Sequence, residues 1–283
     1  MKAASLDAFV KDGAGGNPAG VVLDADGLSE DRMRQIARRL GHPETAFIMR
    51  SDRADYRARF FTPTEEVPLC GHATLAAAAL LRREGLLTRS RVSQETAAGL
   101  LAVEFEEGGS VLMDQPLPVH GEYVAAPDAV EALGIEPSAL VGLPRVVSTG
   151  LRDLLVELKD REALMFLRPN LAALAAFSET LDVVGLHVYA RDAIHKHAAA
   201  HCRNFAPRFG IDEEAATGTS NGALACHLFE RGLAGGGGAL VFEQGYGMGR
   251  PSEITARLTA ANGKVIRVQV GGKVGPARWT ALG

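Results

Sequence analysis

Polar and apolar residues alternate in two short segments that lie far apart in the chain. The segment "DYRARFF" covers residues 55–61 and the segment "AAAHCRNF" covers residues 198–205. Each is followed within two residues by a proline, and both share the pattern Arg-x-Phe-x-Pro. Alternation ended by a proline predicts a β-strand that runs into a loop.

Two alanine-rich segments follow these strands, "ATLAAAALLRREG" and "SNGALACHLFERG". Both consist of strong helix formers, and we expect Gly85 and Gly232 to end the two helices. Gly71 and Gly218 each lie 14 residues before the closing glycine. Two alanine-rich helices can look alike by chance, but the shared Arg-x-Phe-x-Pro favours an internal duplication of strand, loop and helix.

Segments upstream of each strand also correspond. Ser29 is a predicted N-cap for "EDRMRQIARRL", which ends at Gly41 and precedes the strand "TAFIM". In the second half, "RPNLAALAAFSE" carries Pro169 in its first turn and precedes the strand "VGLHVYA". The proline-rich residues 115–128 read as the connection. We therefore predict two similar α/β domains.

Composition narrows the class of protein. The 283 residues are 47% hydrophobic and 23% charged, which is typical of a globular protein. With 30 basic and 34 acidic residues and no dense basic cluster, nucleic acid is not an expected partner. No apolar run approaches the roughly 18 residues of a membrane span. The N-terminus lacks the core of a signal peptide, and three cysteines do not form a disulfide framework, so we expect a cytoplasmic protein.

The two helix starts at Gly71 and Gly218 suggest a ligand. If the halves face each other about a pseudo-twofold axis, both helix N-termini point into one cleft, where unpaired N–H groups favour a carboxylate. Glycine at these positions is expected to allow close approach and unusual backbone angles. The predicted partner is a small carboxylate.

Five ordered motifs identify a family resemblance: "DAFVKDGAGGNPAGVV", "PETAF", "RFFTPTEEVPLCGHATLAAA", "NFAPRFGIDEEAATGTSNGALA" and "EQGYGMGRPSEI". Because it carries these motifs, the chain resembles the PhzF-like (phenazine biosynthesis-like) isomerases of the diaminopimelate epimerase fold. The resemblance implies an α/β (α+β) protein with two pseudo-symmetric domains, each a curled, mostly antiparallel sheet around a central helix. We set these domains at 1–118 and 119–283, and the last strand can pack back on the first domain.

The same resemblance implies the site residues. Glu44 matches the acid that removes and returns a proton, provided burial raises its pKa toward working pH. Each assignment competes with a plainer one: a solvated strand-end acid, an N-cap histidine, a turn asparagine or a surface arginine. The predicted catalytic residues are Glu44, His72 and Glu214, and the predicted substrate contacts are Asn17, Gly71, Ala73, Gly218, Thr219 and Arg250.

The chain departs from the family pattern in "EEAATGT", where Glu214 replaces an aspartate, Ala215 a proline and Thr219 a serine. We expect a cofactor-independent isomerase that moves a proton and a double bond in a small unsaturated cyclic or diene carboxylate, in specialised-metabolite or antibiotic biosynthesis. A homodimer is also implied. The alternatives are an epimerase of an amino acid derivative and a non-catalytic carboxylate-binding protein. A racemase with two catalytic thiols is not expected. The repeat aligns Cys70 with Thr217, and an alcohol is too weak an acid and base to replace a thiol.

Short segments of the chain resemble two other kinds of site. "HKHAAAHC" suggests a metal site, but as a strand it would set His197 and His201 about 13 Å apart, so no metal is predicted. The glycine-rich "KDGAGGNPAG" and "GYGMGRP" suggest a dinucleotide, but Pro18 and Pro251 fall where a helix would have to continue. No cofactor is predicted.

Overall fold

The computed structural model describes residues 2–282. The strands are β1 Lys2–Ala8, β2 Asn17–Val22, β3 Glu44–Met49, β4 Tyr56–Phe61, β5 Glu66–Val67, β6 Arg91–Thr96, β7 Gly99–Phe105, β8 Ser110–Gln115, β9 Val119–Tyr123, β10 Arg145–Ser148, β11 Arg152–Leu158, β12 Gly185–Ala190, β13 Ala200–Ala206, β14 Ile211–Glu214, β15 Ala239–Gln244, β16 Ser252–Ala261, β17 Lys264–Lys273 and β18 Arg278–Ala281. The helices are α1 Glu30–Leu40, α2 Gly71–Arg83, α3 Ala126–Leu133, α4 Arg161–Phe166, α5 Leu171–Thr180 and α6 Gly218–Glu230.

The first compact unit comprises the described part of Met1–Asp114 and Gly271–Gly283. Strand β1 lies antiparallel between β2 and β18, β2 is parallel to β3, and β3 is antiparallel to β4. Strand β4 is parallel to β6, and β6, β7 and β8 form an antiparallel series. Helix α2 packs on β1, β2 and β3. The predicted mixed α/β class, with a mostly antiparallel sheet and a central helix, is confirmed here.

Helix α2 is buried on all sides, since every residue from His72 to Leu81 is buried. A helix without a polar stripe belongs inside a core, and the alanines allow close approach of the strands. The helix ends as predicted at Gly85, which has a φ of 75°. Leu86 N donates to Leu81 O at 2.9 Å and Gly85 N to Arg82 O at 3.2 Å, which is a Schellman ending.

The second unit is Gln115–Val270. Its pairings repeat those of the first: β10 is antiparallel to β11, β11 parallel to β12, β12 antiparallel to β13, β13 parallel to β15, and β15 antiparallel to β16. Helix α6 packs on β10, β11 and β16. Helices α3, α4 and α5 contribute Leu133, Leu164 and Leu174 to a core that also includes Val156 and Val188.

The predicted duplication is therefore present in the strand order, and it extends to side chains. Helix α6 ends like α2, with Leu233 N donating to Leu228 O at 2.8 Å and Gly232 at a φ of 70°. In both units the arginine of Arg-x-Phe-x-Pro forms a two-point ion pair with a glutamate of the next short strand and lies over the phenylalanine two positions on. These residues are Arg59, Phe61 and Glu66 in one unit and Arg203, Phe205 and Glu213 in the other.

The units divide at 114/115, a few residues before the predicted 118/119, and the second unit ends at 270 rather than 283. The reason is that β18 pairs with β1, in a register that places Lys2 opposite Ala281. The guanidinium of Arg83 also donates to the carbonyl oxygens of Val274 and Gly275, at 2.6 Å each. Among the helices of residues 2–282, none is long and apolar enough to span a membrane.

Candidate active site

Glu44 and His72 lie together in the first unit. Glu44 is the first residue of β3, and the parallel pairing with β2 places it beside Ala19. His72 is the second residue of α2 and is buried. His72 Nε2 lies 3.1 Å from Glu44 Oε2. The strand start and the helix start thus bring a carboxylate and an imidazole into contact.

Two further side chains contact the imidazole. Asn17, at the start of β2, brings Nδ2 to 3.3 Å from His72 Nδ1. Cys70 Sγ, just before α2, lies 3.5 Å from His72 Nδ1 and 3.8 Å from Nε2. Among the described residues no donor is aligned for a hydrogen bond to the buried Glu44 Oε2, although His72 is close. We call Glu44, Cys70 and His72 the triad.

The charges of the triad differ from the sequence-based expectation. Burial alone would raise the pKa of Glu44, but His72 and Cys70 outweigh it and hold that pKa below 4.5. Burial opposes protonation of His72, yet Cys70 and Glu44 raise its pKa well above 6.5. Burial, with the charge of Glu44, raises the pKa of the Cys70 thiol. These directions leave Glu44 ionised at neutral pH beside an imidazole whose protonation is favoured, so the expected raised pKa of Glu44 is wrong.

The predicted glycine and alanine contacts lie at the helix starts, but their conformation is ordinary. Neither Gly71 nor Gly218 has a positive φ, so the expectation of unusual backbone angles is wrong. A Cβ added at Gly71 would meet only Met113 Sδ, at 3.8 Å. Glycine therefore leaves room at this point and is not required by the backbone. Ala73 is fully buried, and its backbone N–H is directed at the Cys70 sulfur.

In the second unit, Glu214 lies at the end of β14 and accepts a hydrogen bond from Thr217 Oγ1 at 2.6 Å. Gln244 joins this loop to α6: its Nε2 donates to Glu214 O at 2.8 Å and its Oε1 accepts from Asn221 Nδ2 at 2.8 Å. Thr219 is half-buried, and its carbonyl accepts from Thr149 Oγ1 at 3.0 Å. Side-chain amide and hydroxyl groups thus form the hydrogen bonds around the start of α6.

Arg250 follows a tight turn at Tyr246–Met248. The turn depends on Gly245, which has a φ of 80° and lies so close to the carbonyl oxygens of Arg250 and Ala215 that a Cβ would be 2.3 and 2.5 Å from them. Arg250 is half-buried and its backbone N–H donates to Gly245 O at 3.0 Å. The structure therefore ties the Arg250 turn to the residue next to Glu214.

Asp153 was missed by the sequence analysis. It lies in β11, is 2% exposed, and accepts a hydrogen bond from Ser220 Oγ at 2.7 Å. Asn204 Nδ2 donates to the same Ser220 oxygen at 3.2 Å and lies 3.2 Å from His187 Nδ1. Burial raises the pKa of Asp153 to about 7, with a further contribution from the charge of Glu214. The available signal was a single acid at the start of the apolar run "DLLV".

The histidine-rich segment differs from its prediction. Strand β13 begins only at Ala200, so His197 lies in the preceding loop and the strand spacing does not apply. His195 Nδ1 and His201 Nδ1 instead bind opposite oxygens of the buried Glu243, at 2.5 and 3.1 Å. The backbone N–H groups of Ile194 and His195 donate to the same carboxylate at 2.8 Å. Glu243 therefore anchors this loop.

Comparison with known proteins agrees with this architecture. The sequence pattern of the phenazine biosynthesis-like proteins (PhzC-PhzF) matches residues 6–277. The chain belongs to this family. An uncharacterized isomerase of Clostridium acetobutylicum is 35% identical over 280 residues, 94% of this chain and 93% of that protein. The trans-2,3-dihydro-3-hydroxyanthranilate isomerase of Pseudomonas aeruginosa is 33% identical over 272 residues, 94% of each chain.

Solved structures of the family have the same fold. The Bacillus anthracis phenazine biosynthesis protein of the PhzF family superposes with a TM-score of 0.90 at 27% identity, over 100% of this chain and 99% of that one. A probable proline racemase of Agrobacterium radiobacter, 16% identical, has a TM-score of 0.65 over 100% of this chain and 92% of that one, a likeness of fold alone. The predicted family and the epimerase-like fold are confirmed, and the chain is an isomerase of this family.

Proposed function

We propose that the chain catalyses a cofactor-independent proton shift in a small unsaturated carboxylate. Glu44 takes the proton from one carbon and returns it to another, while the double bond moves between them. The observation that carries the proposal is the contact of 3.1 Å between Glu44 and His72 in a largely buried setting. A carboxylate suits the reaction, because one group serves first as base and then as acid.

The resting ion pair makes Glu44 a weak base, since His72 lowers its pKa. A substrate oxygen that accepts the His72 N–H bond removes part of this stabilisation, and the carboxylate becomes more basic when substrate is in place. The protonated His72 then stabilises negative charge that develops on the substrate oxygen as the proton leaves carbon. Electrons of the broken C–H bond form the new double bond, and the electron pair of the original double bond takes the proton from the Glu44 carboxylic acid at the distal carbon.

The relatives support the substrate class. Since a family member of P. aeruginosa is named for trans-2,3-dihydro-3-hydroxyanthranilate, we infer a cyclic or diene carboxylate for this chain, in a biosynthetic route to a specialised metabolite. Glu214 remains a predicted catalytic residue, and Gly218, Thr219 and Arg250 remain predicted substrate contacts. The replacements at Glu214 and Thr219 argue for a substrate that differs from that of the relative.

An epimerase is a second candidate because Cys70 adds a protonated thiol within 4.8 Å of the Glu44 carboxylate. A carboxylate and a thiol are two distinct proton-transfer groups, which is what inversion at one carbon uses. The two reactions differ in product: an epimerase returns the proton to the same carbon and leaves the double bonds unchanged.

The experiment is proton exchange in D₂O. The protein is incubated with trans-2,3-dihydro-3-hydroxyanthranilate and a set of cyclic and diene carboxylates, and products are followed by NMR. We expect a shifted double bond with deuterium at a new carbon, and Glu44→Gln should lower turnover about 10²–10⁴-fold while circular dichroism shows that the variant is folded. Exchange without a bond shift would favour the epimerase. Undiminished turnover by Glu44→Gln would reject the proposal, as would tight binding with no exchange.

A further inference from the structure

The triad of Glu44, Cys70 and His72 also has the composition of a metal site. A carboxylate oxygen, a thiol sulfur and a ring nitrogen lie within 4.8 Å of one another, and in residues 2–282 this is the one group of three such donors that converges. The donors come from the first residue of β3, the residue before α2 and the first turn of α2. Nitrogen, sulfur and carboxylate ligands are those that Zn²⁺ takes in proteins.

The spacing of the donors matches a tetrahedral ion. Bonds of about 2.0–2.1 Å to nitrogen or oxygen and 2.3 Å to sulfur place neighbouring ligands about 3.3–3.6 Å apart. In the protein, His72 Nε2 lies 3.1 Å from Glu44 Oε2 and 3.8 Å from Cys70 Sγ. Both distances lie close to these values, and the third pair, Glu44 and Cys70, lies within 4.8 Å.

The hydrogen bonding of Glu44 is a second, independent observation. Its buried Oε2 has no aligned hydrogen-bond donor among the described residues, so its negative charge is balanced by the 3.1 Å approach of His72 Nε2. A cation between the three side chains would satisfy that oxygen. Glu243, the carboxylate of the histidine-rich loop, is the contrast: it already accepts two backbone N–H groups and two histidines, so its oxygens are committed.

We propose that the triad binds one thiophilic divalent cation, Zn²⁺ or Co²⁺, through Glu44, Cys70 and His72, with a fourth position open to water or a ligand oxygen. Binding displaces the thiol proton of Cys70 and one ring proton of His72, and both pass to solvent. The cation occupies the lone pairs of Glu44 and His72, so metal binding and proton transfer exclude each other. This last consequence rests on the proposed function, whereas the binding itself does not.

The test is titration of metal-stripped protein with Co²⁺, followed by absorption spectroscopy. We expect one equivalent to produce a thiolate-to-cobalt charge-transfer band together with the intense visible bands of a four-coordinate ion, and Zn²⁺ to abolish both. Zn²⁺ should also raise the unfolding midpoint, because the site exists only in the folded chain. Absence of a thiolate band in the wild-type protein would overturn the proposal.

Matched variants locate the site. Cys70→Ser should remove the charge-transfer band and weaken Zn²⁺ binding about 100-fold or more, as should His72→Gln. Cys226→Ser, another buried thiol, and His197→Asn, an exposed histidine, should leave the spectrum unchanged. A band that survives Cys70→Ser, or that disappears in Cys226→Ser, would reject the triad.

Metal binding and turnover can fail separately. Circular dichroism and the metal-free unfolding midpoint show whether each variant is folded, so loss of the band in a folded Cys70→Ser protein supports the proposal. A chain that binds Co²⁺ through Cys70 but exchanges no substrate proton would uphold the metal site and reject the isomerase mechanism. A chain that turns over substrate and shows no thiolate band would reject only the metal site.

Discussion

The helix starts of the two units share a backbone arrangement and differ in chemistry. Each consists of a strand, a short loop and a buried 13-residue helix that ends in the same Schellman motif. Strand register and spacing make Glu44 equivalent to Gly185, Cys70 to Thr217 and His72 to Thr219. The first unit therefore has an ion pair where the second has a glycine and neutral hydroxyls.

The comparison shows which constraints the duplication retained. Positions that packing requires are the same in both units, such as Leu81 and Leu228 or the glycines that end the helices. Positions that face the helix start have diverged, and the second unit keeps its acids elsewhere, at Glu214 and the buried Asp153. We infer that proton transfer belongs to the first unit.

The largest expected effect is a difference in kcat between variants at the equivalent positions His72 and Thr219. His72→Gln should lower kcat about 100-fold, because it removes the cation that stabilises charge on the substrate. Thr219→Val keeps the shape and removes one hydroxyl, so it should change kcat less than about tenfold and act mainly on KM. Steady-state kinetics with the substrate found by deuterium exchange would measure both. Equal losses of kcat would contradict the assignment of proton transfer to the first unit.

A smaller effect tests whether the two central helices support their units equally. Leu81 and Leu228, at equivalent positions, are 4% and 2% exposed. Replacement of either by alanine should lower the free energy of unfolding by about 2–5 kcal/mol, with the two losses similar. Denaturant titration is the measurement, and Leu100→Ala, at a residue that is 52% exposed, is the control with an expected change under about 0.5 kcal/mol. A near-zero loss at one leucine only would show that the packing is not equivalent.

Local patterns in the sequence predicted the duplicated elements, because helix ends and strand alternation depend on neighbouring residues. Gly85 and Gly232 end their helices as expected. The family resemblance singled out Glu44 and His72, which the structure brings into contact, while their catalytic role stays a prediction.

Features set by distant residues could not be predicted. The burial of Asp153 depends on Ser220, 67 positions away, and the lowered pKa of Glu44 depends on the protonation of His72. The loop that carries His197 likewise contacts later strands, through His195 with Glu243 and through His197 with Glu253. Each of these features depends on how distant strands pair, and the local sequence pattern does not contain that information.

A third expected effect concerns the opposite pH dependences of two carboxyl groups. The folded-state pKa of Glu44 lies below 4.5, so its stabilising contribution is present above pH 4.5 and is lost as the pH falls through the folded value. That of Asp153 is about 7 against 3.8 unfolded, so stability falls as the pH rises from about 4 to 7.

Glu44→Gln and Asp153→Asn should therefore change the pH profile of stability in opposite directions. Relative to wild type, Asp153→Asn should gain stability as the pH rises from about 4 to 7, whereas Glu44→Gln should lose stability above pH 4.5, where the Glu44 carboxylate is ionised. Unfolding curves across this range are the measurement. Parallel profiles for the two variants would show that the two acids do not differ as described.

The pairing of β18 with β1 has a consequence for the order in which the protein forms during translation. Residues 115–270 contain the whole second unit, so the ribosome delivers it complete before residues 271–282 exist. Until then β1 has an open edge, since its partner β18 has not been made. The first unit is thus the first to begin synthesis and the last to be completed. Glu44 and His72 belong to this unit, so their surroundings are complete only after β18 has been made.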